Sequence, residues 1–200
     1  MYITKVEPGR RKRYRVFTED TFLFALYDGE LKQYHIAEHT ELADEMIQWI
    51  RSEVVYKRAK ERALYLLESR PYTVVMMRRK LQDSEYPSDV IDDVILFLEQ
   101  YHYLDDVEYI RMYVETYAKR KSRKQLNYDL VAKGVARDSI QDYFASTEYS
   151  EEESLQRQFQ RYTRGRDMEN PQVRRKVFCY LYSKGYSASL IEDALREQQS

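Results

Sequence analysis

Histidines, paired carboxylates and clustered bases are the side chains here whose types and spacing could do chemistry. His35 and His39 stand four residues apart, a spacing that would let both imidazoles chelate a metal from one helical turn. No HExxH pattern and no third ligand accompanies them, so surface or capping histidines are the simpler reading. Asp92-Asp93 and Asp105-Asp106 invite general acid–base roles. Both pairs fall within or at the start of helical patterns, where carboxylates cap or solvate, and no partner nucleophile is evident. Glu151-Glu152-Glu153 opens a helical stretch and suits its positive dipole end. There is no Walker loop and no GxGxxG to cradle phosphates. The residues therefore predict no catalytic group, no metal and no cofactor.

The bases are more informative. Lys119-Arg120-Lys121-Ser122-Arg123-Lys124 forms one block, Arg174-Arg175-Lys176 a second, and Arg78-Arg79-Lys80 a third. Arg123 aligns with Arg174 and Lys124 with Arg175 in the repeat described below. Positive charge near a helix N-terminus opposes the macrodipole, at about 0.3–1 kcal/mol per exposed charge. That two copies accept this cost at one position suggests a basic ridge facing phosphates or an acidic protein, against the plainer alternative of a solvated face. Arg157, Arg161 and Arg164 form a further stripe that lacks acidic neighbours in the sequence pattern. Tyrosines 101, 103, 109, 113 and 117 have the spacing of helix core packing, and base stacking is their second reading.

Composition narrows the field. The chain carries 33 basic and 34 acidic side chains for a net charge of −1, so attraction to nucleic acid must come from local clustering. Hydrophobic residues at 43% with charged residues at 34% fit a folded protein. Few breakers, with five Gly and four Pro against 20 Tyr, favour long helices with aromatic packing. Cys179 is the only cysteine, which excludes an intrachain disulfide and a cysteine-rich zinc site. The opening residues lack a signal-peptide pattern and no apolar run suits a membrane span, so a cytoplasmic protein is expected.

The elements that must position these residues repeat. LQDSEYPSDVIDD from Leu81, LVAKGVARDSIQD from Leu130 and LYSKGYSASLIED from Leu181 align without gaps, at a period of about 50 residues. Met77, Leu126 and Val177 lie four before the leucine, making one helix face. Gly134 and Gly185 are placed as left-handed caps. Tyr86, Val135 and Tyr186 stand five before Ile91, Ile140 and Ile191, the spacing of a hydrophobic staple. Each unit is thus a helix, a tight turn and a second helix, preceded by a further helix at 56–69, 106–119 and 151–162. Ser150 with Glu153 as a capping box, and Asn170-Pro171 as N-cap and first residue, support these starts.

The expected fold is all-α: three tandem three-helix repeats at 55–104, 105–147 and 148–200, stacked as an elongated curved array. Residues 1–54 form an N-terminal extension. In it, aromatic segments 14–17 and 22–27 bracket polar 18–21 as a small β-hairpin. Asp28-Gly29 reads either as a further turn or as a cap to a short helix. A helix over 41–51, with Leu42, Met46, Trp49 and Ile50 buried, leads into the first repeat.

Several of these residues carry a resemblance. Arg58-Ala59, Arg62-Ala63-Leu64, Arg70-Pro71, Thr73 and Arg78-Arg79-Lys80-Leu81 resemble the opening repeat of the RecX family. Tyr103-Leu104-Asp105-Asp106, Tyr113-Val114, Leu130 and Lys133-Gly134-Val135 resemble its second repeat more specifically, and the likeness spans roughly 57–143. Tyr72, Glu85 and Ile110 depart from the family's usual arginine, glycine and alanine. The resemblance implies a non-enzymatic, monomeric regulator. It would bind along the groove of the RecA–DNA filament and modulate, usually inhibit, ATPase, strand exchange and coprotease activity. DNA contact would be weak or made through RecA. Binding residues are expected among Arg78, Arg79, Lys121, Arg123, Lys124, Arg157, Arg161, Arg174, Arg175 and Lys176. The rival from another class is a helix-turn-helix DNA-binding transcription regulator, since helix pairs joined by glycine turns look alike in sequence.

Overall fold

The computed structural model describes residues 1–19 and 21–197, in two compact units, Met1–Asp105 and Asp106–Ser200. The first unit opens on a three-stranded antiparallel sheet of β1 (Lys5–Pro8), β2 (Arg13–Thr18) and β3 (Thr21–Tyr27), ordered β1-β2-β3. The expected hairpin is the β2–β3 pair, with a register shift at Val16/Phe17. Strand β1 was not expected: it is short and ends on a proline, so its sequence carries little strand signal. Its place comes from pairing, Val6 opposite Val16 and Pro8 opposite Tyr14.

Asp28–Gln33 is a short helix, α1, whose N-cap is Tyr27 rather than Asp28. Helix α2 (Asp44–Trp49) then runs through a π-helical turn, Ile50–Tyr56, into α3 (Lys57–Ser69). The buried positions explain this continuity. Ile47, Ile50, Val55, Ala59, Ala63 and Leu66 all face the core, and the step from Ile50 to Val55 is out of phase for an α-helix. An i→i+5 turn absorbs it. Leu42 and Ile50 are buried as expected, but Met46 and Trp49 are exposed, because the helix meets the core along its Ile47–Ile50 edge.

The repeats follow as α4 (Val74–Gln82) and α5 (Ser88–Gln100); α6 (Asp106–Tyr117), α7 (Arg123–Ala132) and α8 (Arg137–Ser146); and α9 (Glu152–Thr163), α10 (Pro171–Ser183) and α11 (Ala188–Glu197). Leu81, Leu130 and Leu181 are fully buried equivalents, as are Met77, Leu126 and Val177. Gly134 and Gly185 adopt φ of 88° and 93°. In each, the glycine and the following residue donate back to α7 or α10, as Val135 N does to Leu130 O at 3.1 Å, closing a Schellman turn. Tyr86, Val135 and Tyr186 and their isoleucines are buried as staples. Asn170 caps α10 with Pro171 at its first position. The expected Ser150–Glu153 box does not form: Glu151 is the N-cap, and Ser150 Oγ accepts only from Glu152 N at 3.2 Å.

The first repeat closes the same turn without glycine, on Glu85 at φ 56°. Its carboxylate has a task that glycine could not perform. Glu85 accepts from Arg10 N at 2.6 Å and lies 3.8 Å from Arg15. Beside it, buried Arg13 donates to Ser84 O and stands over the Tyr86 ring. The β-sheet is clamped to the repeat at this turn.

Candidate partner-binding surface

The second unit carries two runs of cations set against tyrosine rings. At one end the Arg166 guanidinium lies 4.2 Å from the Tyr162 ring, which stacks on Tyr180 at 4.0 Å and 7°. Lys184, C-cap of α10, stands 5.5 Å from Tyr180. The turn at Lys184-Gly185 meets the N-terminus of α7, where Ser122 Oγ donates to Lys184 O at 2.6 Å. A Cβ on Gly185 would lie 2.9 Å from both Ser122 Oγ and Lys124 Cβ, so the glycine is needed for this approach as well as for its φ. Beside the junction opens a groove of about 410 Å³, lined by Lys121, Lys124, Gln125, Tyr128, Asp129 and Lys184. Tyr128 is 75% exposed above it. A second run places Lys121 over the rings of Tyr117 and Tyr113, with Lys133 also 5.4 Å from Tyr113.

Lys121 is anchored at the groove's inner edge. Its ammonium donates to Asp129 Oδ2 at 2.6 Å and Tyr113 Oη at 3.1 Å. Burial disfavours its charge, but those two partners outweigh burial and hold the lysine above its usual range. Burial likewise raises the Tyr113 phenol. Tyr149, whose hydroxyl donates to Lys121 O at 3.3 Å, is pushed up to about 12 by burial. Lys124 is exposed, and among the described residues no ion pair occupies it or Lys184. Ammonium groups without an ion pair beside the exposed Tyr128 ring can hold phosphate or carboxylate and stack a planar group.

The expected site residues divide on this geometry. Lys121 and Lys124 line the groove. Arg123 is drawn aside over the Phe144 ring at 4.8 Å, and Arg174 donates to Leu195 O at 3.2 Å inside its own repeat. Arg78 pairs with Asp92, and Arg157 with Glu153 at 2.9 Å, so the arginine stripe does have an acidic partner. That stripe also ends early, because Arg164 lies beyond α9 as its C-cap. Arg79, Arg161, Arg175 and Lys176 are exposed. Tyr128, Arg166 and Lys184 escaped sequence reading because none sits in a charge block; only the repeat's Lys-Gly pair marked Lys184. Tyr109 packs in the core as expected, whereas Tyr101 and Tyr103 lie exposed against Phe97. His35 and His39 have positive φ outside any helix, and among the described residues no group of metal ligands forms. No helix among them is long and apolar enough to cross a membrane.

Two family models match the repeats: the RecX first three-helix domain over residues 59–98 and the second over 105–143. Over nearly the whole chain, the sequence is 31% identical to the regulatory protein RecX of Clostridium acetobutylicum, covering 98% of this chain and 95% of that one. The chain belongs to the RecX family. The RecX of Bacillus pumilus is 26% identical, with 98% of this chain and 77% of that protein covered. A crystal structure of regulatory protein RecX shares the fold at a TM-score of 0.62 and 23% identity, covering 96% of this chain and 97% of the other. The RecX structure from Lactobacillus salivarius also gives 0.62, at 19% identity, over 71% and 95%.

Proposed function

We propose that this RecX-family protein is a non-enzymatic, monomeric regulator that binds the RecA–DNA filament and inhibits its ATPase, strand exchange and coprotease activities. The observation that carries this reading is the match to a regulatory protein RecX over 98% of this chain and 95% of that one. In this reading the repeats divide at 55–104, 105–147 and 148–200, and the groove of Lys121, Lys124, Tyr128 and Lys184 faces phosphate or acidic filament surface. Arg79, Arg161, Arg175 and Lys176 are secondary contacts on the exposed faces. A regulator that prefers one filament state shifts the population toward it, without chemistry of its own.

Cosedimentation with RecA filaments on single-stranded DNA tests the binding. The wild-type protein is expected to pellet with filaments, and Lys124→Gln/Lys184→Gln to do so with affinity reduced about tenfold. Retention of full affinity by a well-folded double variant would move the contact elsewhere. A mobility-shift arm with duplex DNA and no RecA separates the transcription-regulator alternative, for which a sequence-specific complex is required.

A further inference from the structure

The first unit has an exposed feature of opposite character. Tyr34, after α1, and Trp49, ending α2, stand edge to face with ring centroids 5.8 Å apart and planes at 73°. With Glu45 and Met46 they line an open groove of about 380 Å³. Trp49 is 48% and Met46 40% exposed, on a helix whose other edge is fully buried at Ile47 and Ile50. The π-helical turn begins directly after Trp49, a placement common beside functional sites.

Unneutralised charge on this stretch is acidic. Residues 33–50 contain Glu38, Glu41, Asp44 and Glu45 and no lysine or arginine, and the flanking Lys32 and Arg51 are committed to Asp28 and Asp89. Glu38 accepts from Val6 N and Asp44 meets the N-terminal ammonium at 3.2 Å, which occupies both. Among the described residues no ion pair occupies Glu45. Several other rings are covered by the protein's own cations, as Arg58 does Tyr27 at 4.9 Å and Lys60 does Phe97 at 3.7 Å. Among the described residues none covers Tyr34 or Trp49.

We propose that this corner is a binding site for an arginine side chain of a protein partner. Two rings at nearly right angles offer a cation two walls, tryptophan being the strongest such face, and the Met46 thioether offers a soft third. Glu45 supplies the counter-charge at the rim. An open, shallow groove suits a guanidinium over an ammonium, because the guanidinium is planar and weakly hydrated and can stack on a ring while forking to a carboxylate. The same acidity repels nucleic acid, so this site is distinct in ligand from the lysine groove of the second unit.

Trp49 is the sole tryptophan, so its fluorescence reports the site directly. The full-length protein is titrated with acetyl-Gly-Arg-Gly-amide and with the citrulline peptide, which keeps the shape without the charge. A saturable change in Trp49 emission is expected for arginine, at least fivefold weaker for citrulline. Glu45→Gln, at an exposed position, is expected to weaken the arginine response about fivefold with unchanged circular dichroism. A flat titration, an equal response to both peptides, or an unchanged response in Glu45→Gln would overturn the proposal. So would Trp49 emission that changes with protein concentration alone as dimers appear in sedimentation, which would give the corner to a second copy.

Discussion

Lys121 and Lys124 are three residues apart in one basic block, yet the fold gives them different work. Lys121 is committed internally to Asp129 and Tyr113, whereas Lys124 lays its stem across Gly185 and leaves its charge open. Lys121→Ala is expected to lower stability by about 1 kcal/mol, since the pair is partly solvated, with a matching fall in thermal midpoint. Tyr128→Ala is expected to leave the midpoint unchanged and weaken filament binding at least threefold; the reverse pattern would make Tyr128 structural. Sequence reading found the block but could not sort its members. The partners that remove Arg78, Arg157 and Arg174 from a contact surface are Asp92, Glu153 and Leu195 O, and only Glu153 lies one helical turn away. The other two are fixed by how helices pack, which charge periodicity does not encode.

At the scale of elements, the leucine-to-isoleucine register was legible because each position serves a stated geometry: face, left-handed cap, staple. Replacing Leu130 by Ala is expected to cost about 2–5 kcal/mol, measurable by urea unfolding. The π-helical turn and strand β1 were not legible. One depends on a five-residue step between core positions, the other on a partner strand. The first-repeat turn offers a sharper test. Glu85→Gly relieves a left-handed residue of about 1 kcal/mol of strain, but removes the acceptor for Arg10 and the partner of Arg15. The clamp is expected to win, so that amide exchange in β1 and β2 accelerates with a lower midpoint; slower exchange would contradict it. The α7 junction also sets an alkaline limit. Lys121 and Tyr149 both bind their protons more tightly when folded than when unfolded. Stability contributed by each is intact at neutral pH and is lost as pH rises, for Tyr149 between about 10, where the unfolded phenol titrates, and about 12. Tyr149→Phe is expected to flatten that decline in alkaline melting curves.

At the scale of the whole molecule, near-zero net charge is combined with strong local contrast, a lysine–tyrosine groove in one unit and an acidic aromatic corner in the other. Binding that neutralises phosphates through the groove should weaken with salt, and each lost contact should flatten the log–log slope by about 0.7–0.9. Inhibition should require no added metal, so chelators should leave it unchanged in a readout that does not depend on RecA's own magnesium. The most direct test of the regulator reading is the single-strand-dependent ATPase of a cognate RecA, titrated with this protein. The rate is expected to fall at sub-stoichiometric protein, because one occupied groove or filament end affects many protomers, and Lys124→Gln/Lys184→Gln should need about tenfold more protein for the same fall. A rate that stays flat up to equimolar protein would contradict the reading.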